Sequence, residues 1–390
     1  MRFVSAKHFT IAAALIVTAA SATVAQKQTT TAQIVSTANA FLRTLDESQL
    51  QHVMYAFDDD SQRARWSNFP TGFVPRGGIS LKDMTPQQQT AAIKLLATVL
   101  SPRGLEKVQQ IRQADDDFKA NGSKRGPRGG GPPPPGAGGP TPQADAPPDA
   151  GQGPQGPAGP GSSGPKARGP AGGAMFGSDL YYISFLGNPS ETTPWMLQFG
   201  GHHLALNITI AGSNGALTPS LTGAQPAQFQ LDGKTIRPLG GESDKGLALV
   251  SSLTDEQRKK AILNYRVADL VLGPGQDGKK ISPEGLKATE MNDRQRAMLL
   301  DLIGEWTGIA NETAAKIRMD QMKSDLSETW FAWSGSATAA SGTNITAYYR
   351  IQGPHLVIEY APQNDEPSNH VHTMYRDPTN DYGVAFTLNR

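Results

Sequence analysis

Apolar residues recur at helical spacing through the first third of the chain. In TAQIVSTANAFLRTLDESQLQHVMYAF, residues 31–57, apolar positions three and four apart define one face of a helix. A second helix start is marked by Thr85-Pro86-Gln87-Gln88. Thr85 can cap, Pro86 suits the first helical position, and Gln88 can return a bond to the cap. AAIKLLATVL supplies the stripe that follows, and Ser101-Pro102 ends this helix and opens another. Past residue 175 the period shortens. LYYISFLG, PWMLQFGGHHLALNITI and AQFQLDG read as strands bounded by Gly, Pro and Asn turns. Helices return at Thr254-Asp255-Glu256-Gln257 and Asn292-Asp293-Arg294-Gln295, two further capping-box patterns. TWFAWSG, TAYYRIQG, HLVIEYAP and HVHTMYRD then follow at close spacing and predict an antiparallel meander. The expected class is α+β: N-terminal helices and an antiparallel β-sheet with a helical insertion. No repeat of fixed period is visible.

Two stretches break the pattern. Residues 121–175 are more than half Gly and Pro and contain no β-branched side chain that could serve a core apart from isolated threonine. Such a segment cannot bury enough apolar surface to offset its ordering entropy, and it reads as a disordered insertion. Residues 26–120 then form the N-terminal helical part, and residues 176–390 the main α+β part, of one fold. Residues 1–25 combine a basic start (Arg2, Lys7), an apolar run from Phe9 to Ala20 and small residues before Gln26. This is the pattern of a signal peptide, which predicts a secreted or periplasmic protein without stable membrane insertion after cleavage.

Composition removes several classes of chemistry. The chain has no cysteine, which excludes disulfides, thiolate metal sites and a cysteine nucleophile. Its formal charge of +1 over 390 residues gives no basis for a nucleic-acid partner, and the expected partner is a small-molecule or polymer ligand of unknown identity. Gly273 to Lys279 matches seven positions of a phosphate-binding loop, but Lys280 stands where Ser or Thr should hold magnesium and no helix follows.

Histidine carries the remaining signal. His370 and His372 lie two apart in NHVHTMYRDPTNDYG, so in a strand both rings face one side. In GPHLVIEYAP, His355 and Glu359 share a face, and pairing of this strand with the next would bring Glu359 toward His370 and His372. His202 and His203 interrupt an apolar run after Gly200-Gly201. A regular strand would turn them to opposite sides, with His203 as ligand and His202 behind it unless a bulge at the glycines reverses the order. The set His202, His203, His370, His372 and Glu359 suits a divalent metal, zinc first, with iron, manganese or copper as alternatives. Glu359 would serve as fourth ligand or general base, Arg376 would hold an anionic substrate group, and Asp377 or Asp381 would orient a histidine. The turn-forming sequence around Asp377 and Asp381 equally fits a tight capped turn.

GHH after a Trp-containing strand, TWFAWSG, YYRIQGPHLVIEY and NHVHTMYRDPTNDYG together resemble the signature stretches of the domain-of-unknown-function family numbered 3500. WSNFP, RGGISLKDMTPQQ and LSPRGLEKV extend the resemblance over most of the chain outside the leader and the Gly/Pro segment. It implies that both flanks of that segment belong to one fold, and it implies no activity. Two functions stay open on the residues: an exported metal-dependent hydrolase, with oxidative metal chemistry drawing on the same ligands, or a non-catalytic exported protein that binds a ligand or serves as a cell-surface interaction protein. In the second case Trp330, Trp333, Tyr348 and Tyr349 would stack on the ligand.

Overall fold

Side chains close the first turn of four helices. Asp46, Thr85, Thr254 and Asn292 each accept a hydrogen bond from the backbone three residues on, and a glutamine there returns one. The computed structural model describes residues 30–121, 175–340, 342–364 and 366–386. The leader and the Gly/Pro stretch therefore lie, apart from Asn121 and Met175, outside the described residues.

The chain runs through α1 (30–42), α2 (Glu47–Val53), β1 (Met54–Tyr55), α3 (Asp60–Arg63), β2 (Ile79–Ser80), α4 (Pro86–Val99) and α5 (Pro102–Asn121). Strands β3 (Tyr182–Leu186), β4 (Trp195–Gly200), β5 (Leu204–Ala211), β6 (Asn214–Ala216) and β7 (Ser220–Ala224) follow, then a hairpin of β8 (Phe229–Leu231) and β9 (Lys234–Ile236). Next come α6 (Gly240–Ser252), α7 (Asp255–Ala261), β10 (Leu286–Lys287), α8 (Asp293–Thr307) and α9 (Glu312–Ser324). The chain ends in β11 (Trp330–Ser334), β12 (Tyr348–Gly353), β13 (Leu356–Pro362) and β14 (Val371–Arg376). The class is α+β. Twelve strands form one sheet in the order β1-β3-β4-β5-β7-β14-β13-β12-β11-β10, with β2 beside β3 and β6 beside β5. The β1–β3 pair is parallel and the other pairs are antiparallel.

This order is a mirror about the β7–β14 seam, where the Thr222 and Thr373 hydroxyls meet at 2.7 Å. The symmetry reaches individual side chains. Gln88 donates to the Thr44 carbonyl and to Gln49, both at 2.8 Å; Gln295 donates to the Ser252 carbonyl and to Gln257, at 2.8 and 2.9 Å. Ser101 N donates to Ile309 O while Asn311 N donates to Val99 O, each at 3.0 Å, so a single bridge joins the halves reciprocally. Gly78 (φ 94°) and Gly285 (φ 96°) each lie against a strand carbonyl, Ile183 O and Phe331 O, where a Cβ would stand 2.1 and 2.2 Å away. The chain is an internal duplication: α1 to β7 and α6 to β14 repeat one plan. A search for fixed spacing misses it because the first copy carries the long Gly/Pro stretch between its last helix and first long strand, whereas α9 and β11 are nearly contiguous.

Each half buries its own core on the helical face of the sheet. Ile34, Ala38 and Phe41 of α1 and Leu95 and Leu96 of α4 pack on Ile183, Phe185, Leu197 and Phe199. Leu249, Leu299, Leu302, Ile303 and Trp306 pack on Phe331, Trp333, Tyr349 and Ile351. Trp333, Tyr348 and Tyr349 are thus core residues, and three of the four aromatics considered for ligand stacking are not available at the surface. On the opposite face Ala205, Leu221 and Met374 pack with Trp66, and the strand residues Gln198 and Asn207 join Gln62 of α3 in a hydrogen-bonded chain at 2.9 and 2.8 Å.

Candidate metal centre

PWMLQFGGHHLALNITI, read as one strand, is two. β4 ends at Gly200 and β5 begins at Leu204, with Gly201 N donating to Leu204 O at 2.9 Å. His202 and His203 are the two central residues of the turn. The opposite-sides rule for a regular strand therefore does not apply, and the two rings lie together with centroids 3.6 Å apart. Most hairpin turns point into solvent. This one is driven inward: His202 is 6% exposed and His203 0%.

The turn meets the start of β14. His203 Nε2 lies 3.3 Å from His370 Nε2, which lies 3.1 Å from His372 Nε2. Two ligands on a tetrahedral zinc, with Zn–N bonds of about 2.0–2.1 Å, stand about 3.3–3.4 Å apart. The His203–His370 and His370–His372 separations already have that spacing, and the ligand nitrogens of all three rings lie within 4.8 Å of one another. His203 and His372 are buried and His370 is half-buried, so the cluster has one exposed side.

The far nitrogens are held from behind. Asp115 of α5, 1% exposed, places Oδ1 at 3.1 Å from His203 Nδ1, and its Oδ2 accepts from the Tyr181 hydroxyl at 2.7 Å. Asn68 Nδ2 lies 3.2 Å from His372 Nδ1; turning the amide over would bring its oxygen there to accept the ring proton. An N–H bonded at Nδ1 leaves Nε2 as the lone-pair nitrogen. The loop that carries Asn68 is fastened by Arg76, which donates to the carbonyls of Ser67, Phe69 and Gly201 at 2.6–2.8 Å. Burial lowers the Arg76 guanidinium to about 10, raises the Asp115 carboxyl to about 8 and pushes His202 well below the usual imidazole range. Neutral imidazole is the form that binds metal. Gly223 of β7 leaves room for two rings: a Cβ there would stand 2.9 Å from His372 Cδ2 and 3.1 Å from His203 Cδ2.

Other candidates fall elsewhere. Glu359 pairs across strands with Met374, two residues past His372, and both its oxygens are taken. Val271 N and Leu272 N donate to it at 2.7 and 2.8 Å, and the Tyr348 hydroxyl at 2.7 Å. It therefore anchors a loop rather than facing the histidines. Arg376 is four residues along β14 from His372, about 13 Å at strand rise. It bonds Asp277 and Asp381, both at 2.8 Å, and the carbonyls of Leu272 and Gly273. Asp381 also accepts from Asp377 N at 2.9 Å, and Asp377 accepts from Arg318 and Thr379. These three residues build the capped turn after β14. His355 is likewise remote: its Nδ1 lies 2.7 Å from Asp325, at the end of α9. His52 is exposed on α2.

Asp115 and Asn68 are the site residues that the sequence reading missed. A signal for Asp115 existed. It continues the buried stripe of Val108, Ile111 and Ala114 on α5, and an acid on an apolar stripe demands a partner. Asn68 lies in WSNFP with no local cue to its histidine.

A duplicated α+β sheet with a three-histidine cluster at the seam of its halves defines the class of this protein. The family comparison gives it a place: residues 27–384 match the family described as Protein of unknown function (DUF3500), and the chain belongs to that family. No curated protein and no solved structure matches the chain.

Proposed function

We propose that the protein is an exported zinc-type metalloprotein and that its centre activates water for hydrolysis. The observation that carries this reading is the convergence of three imidazoles, with His370 Nε2 at 3.3 Å from His203 Nε2 and 3.1 Å from His372 Nε2, and with Asp115 and Asn68 behind two of the rings. Hydrogen bonds between neutral imidazoles can satisfy one nitrogen pair at a time, whereas one cation satisfies all three lone pairs. A three-histidine zinc site keeps a fourth position and lowers the pKa of a water there to about 7, so no carboxylate base is required. Asp115 and Asn68 would fix ring tautomers, and half-buried His370 marks the side from which substrate would approach. Burial of the other two rings favours a second reading, in which the ion is held for structure or storage. No helix among the described residues is long and apolar enough to cross a membrane, and export rests on the leader alone.

The test uses protein purified without a histidine tag. Elemental analysis should find bound zinc, and His370→Ala and His372→Ala should each remove most of it while circular dichroism is kept. Chelation should lower Tm through loss of ligand linkage. Zinc-dependent cleavage of p-nitrophenyl ester or phosphate probes separates hydrolysis from storage. Absence of any stoichiometric metal, before and after incubation with zinc, would refute both readings. Intact mass of exported protein should place the first residue near Gln26.

A further inference from the structure

We infer that a second cation site adjoins the three-histidine centre, formed by Asp115 Oδ1, His202 Nδ1 and His203 Nδ1, with the His203 ring bridging two ions. This rests on the first centre being a metal site. His202 Nδ1 is buried and has no hydrogen-bond partner among the described residues. It faces Asp115 Oδ1 at 3.8 Å, too long for a hydrogen bond. The same oxygen lies 3.1 Å from His203 Nδ1. One carboxylate oxygen thus bonds the His203 nitrogen and stops short of the His202 nitrogen beside it. Donors at such separations are what one ion with bonds of about 2.0–2.2 Å gathers. Tyr181 holds the other carboxylate oxygen, which leaves Oδ1 for the ion.

The duplication supplies an internal control. Asp325 stands fourteen residues after Asn311, as Asp115 stands fourteen after Ser101. His355 precedes Ile358 by three residues as His203 precedes Leu206, and Ile358 and Leu206 pair with equivalent strand residues, Ile351 and Phe199. The second half therefore keeps the His–Asp pair. There the pair closes to 2.7 Å, an ordinary hydrogen bond, and the residue before the histidine is Pro354. A carboxylate that only orients a histidine needs nothing more. In the first half the proline position holds His202, and the carboxylate is drawn between two rings. Nitrogen and carboxylate donors of this kind suit zinc or copper(II). An ion bound at His203 Nδ1 replaces the proton on that nitrogen, which passes to solvent. The resulting imidazolate and the Asp115 carboxylate offset two positive charges of the added ion.

The full chain, tag removed and stripped by chelator, is titrated with zinc. Two equivalents should bind. His202→Phe should bind one, with its circular dichroism unchanged. Copper(II)-loaded wild type provides a measurement that needs no variant: two coppers sharing one imidazolate couple magnetically, so the integrated spin should fall well below the copper content. One equivalent of zinc in wild type, with full copper spin, overturns the second site and leaves the first intact. Two equivalents retained in His202→Phe overturn the ligand assignment. Zero equivalents refute the first centre itself.

Discussion

Replacing Glu359 separates its structural role from the ligand role suggested by its strand. In Glu359→Ala three buried donors, Val271 N, Leu272 N and the Tyr348 hydroxyl, lose their acceptor together. Each unsatisfied buried donor costs about 1–3 kcal/mol; the loop can relax and admit water, so a total of about 3–5 kcal/mol is expected. At roughly 2–3 °C per kcal/mol for a chain of this size, Tm should fall by about 6–15 °C. Glu359→Gln keeps one acceptor oxygen and should lose less. The pH dependence adds an independent readout. Burial raises the Glu359 carboxyl above the usual glutamate range, although Tyr348 and the two amides hold it back. The folded state then binds the proton more tightly than the unfolded chain. The stability from this group is full below the ordinary glutamate pKa and is lost as pH rises through the raised value. Thermal melts from pH 4 to 7 should show wild type losing ground to Glu359→Gln as pH rises. Bound zinc should be unchanged in both variants. Loss of metal from Glu359→Ala at an unchanged Tm would refute this account and return Glu359 to the metal.

Gly223→Ala should push the rings of His203 and His372 aside, lowering Tm by an amount equivalent to about 1–3 kcal/mol and weakening zinc binding in a competition titration with a chromophoric chelator. Lys107 is buried between Glu242 and Glu305, so Lys107→Met should destabilise the fold by about 3–5 kcal/mol in urea melts, and Lys107→Met with Glu242→Leu should recover much of that loss. Gln88→Ala and Gln295→Ala remove equivalent contacts in the two copies; each should cost about 1–2 kcal/mol, and a large inequality between them would count against equivalent roles.

Local chemistry was legible in the chain. The boxes at Thr85–Gln88, Thr254–Gln257 and Asn292–Gln295 mark helix starts because cap and partner are three residues apart and need no distant contact. His370 and His372 share a face for the same reason: strand geometry alone sets it. Tertiary structure decided everything that depends on register and on segments far apart. The histidine pair sits in a turn because Gly200 pairs with Ala205, not in the continuous strand suggested by its apolar neighbours. Asp115 reaches His203 from a helix on the other side of the Gly/Pro stretch, and Asn68 reaches His372 across some three hundred positions. Glu359 had the right strand and face but the wrong place along it, two residues past His372, where backbone amides claim its oxygens. The duplication was hidden because its two copies differ in length, while hydrogen bonding preserved the same contacts at unequal spacing. Periodicity reports which way a side chain points; only the packing of distant strands and helices determines what it meets.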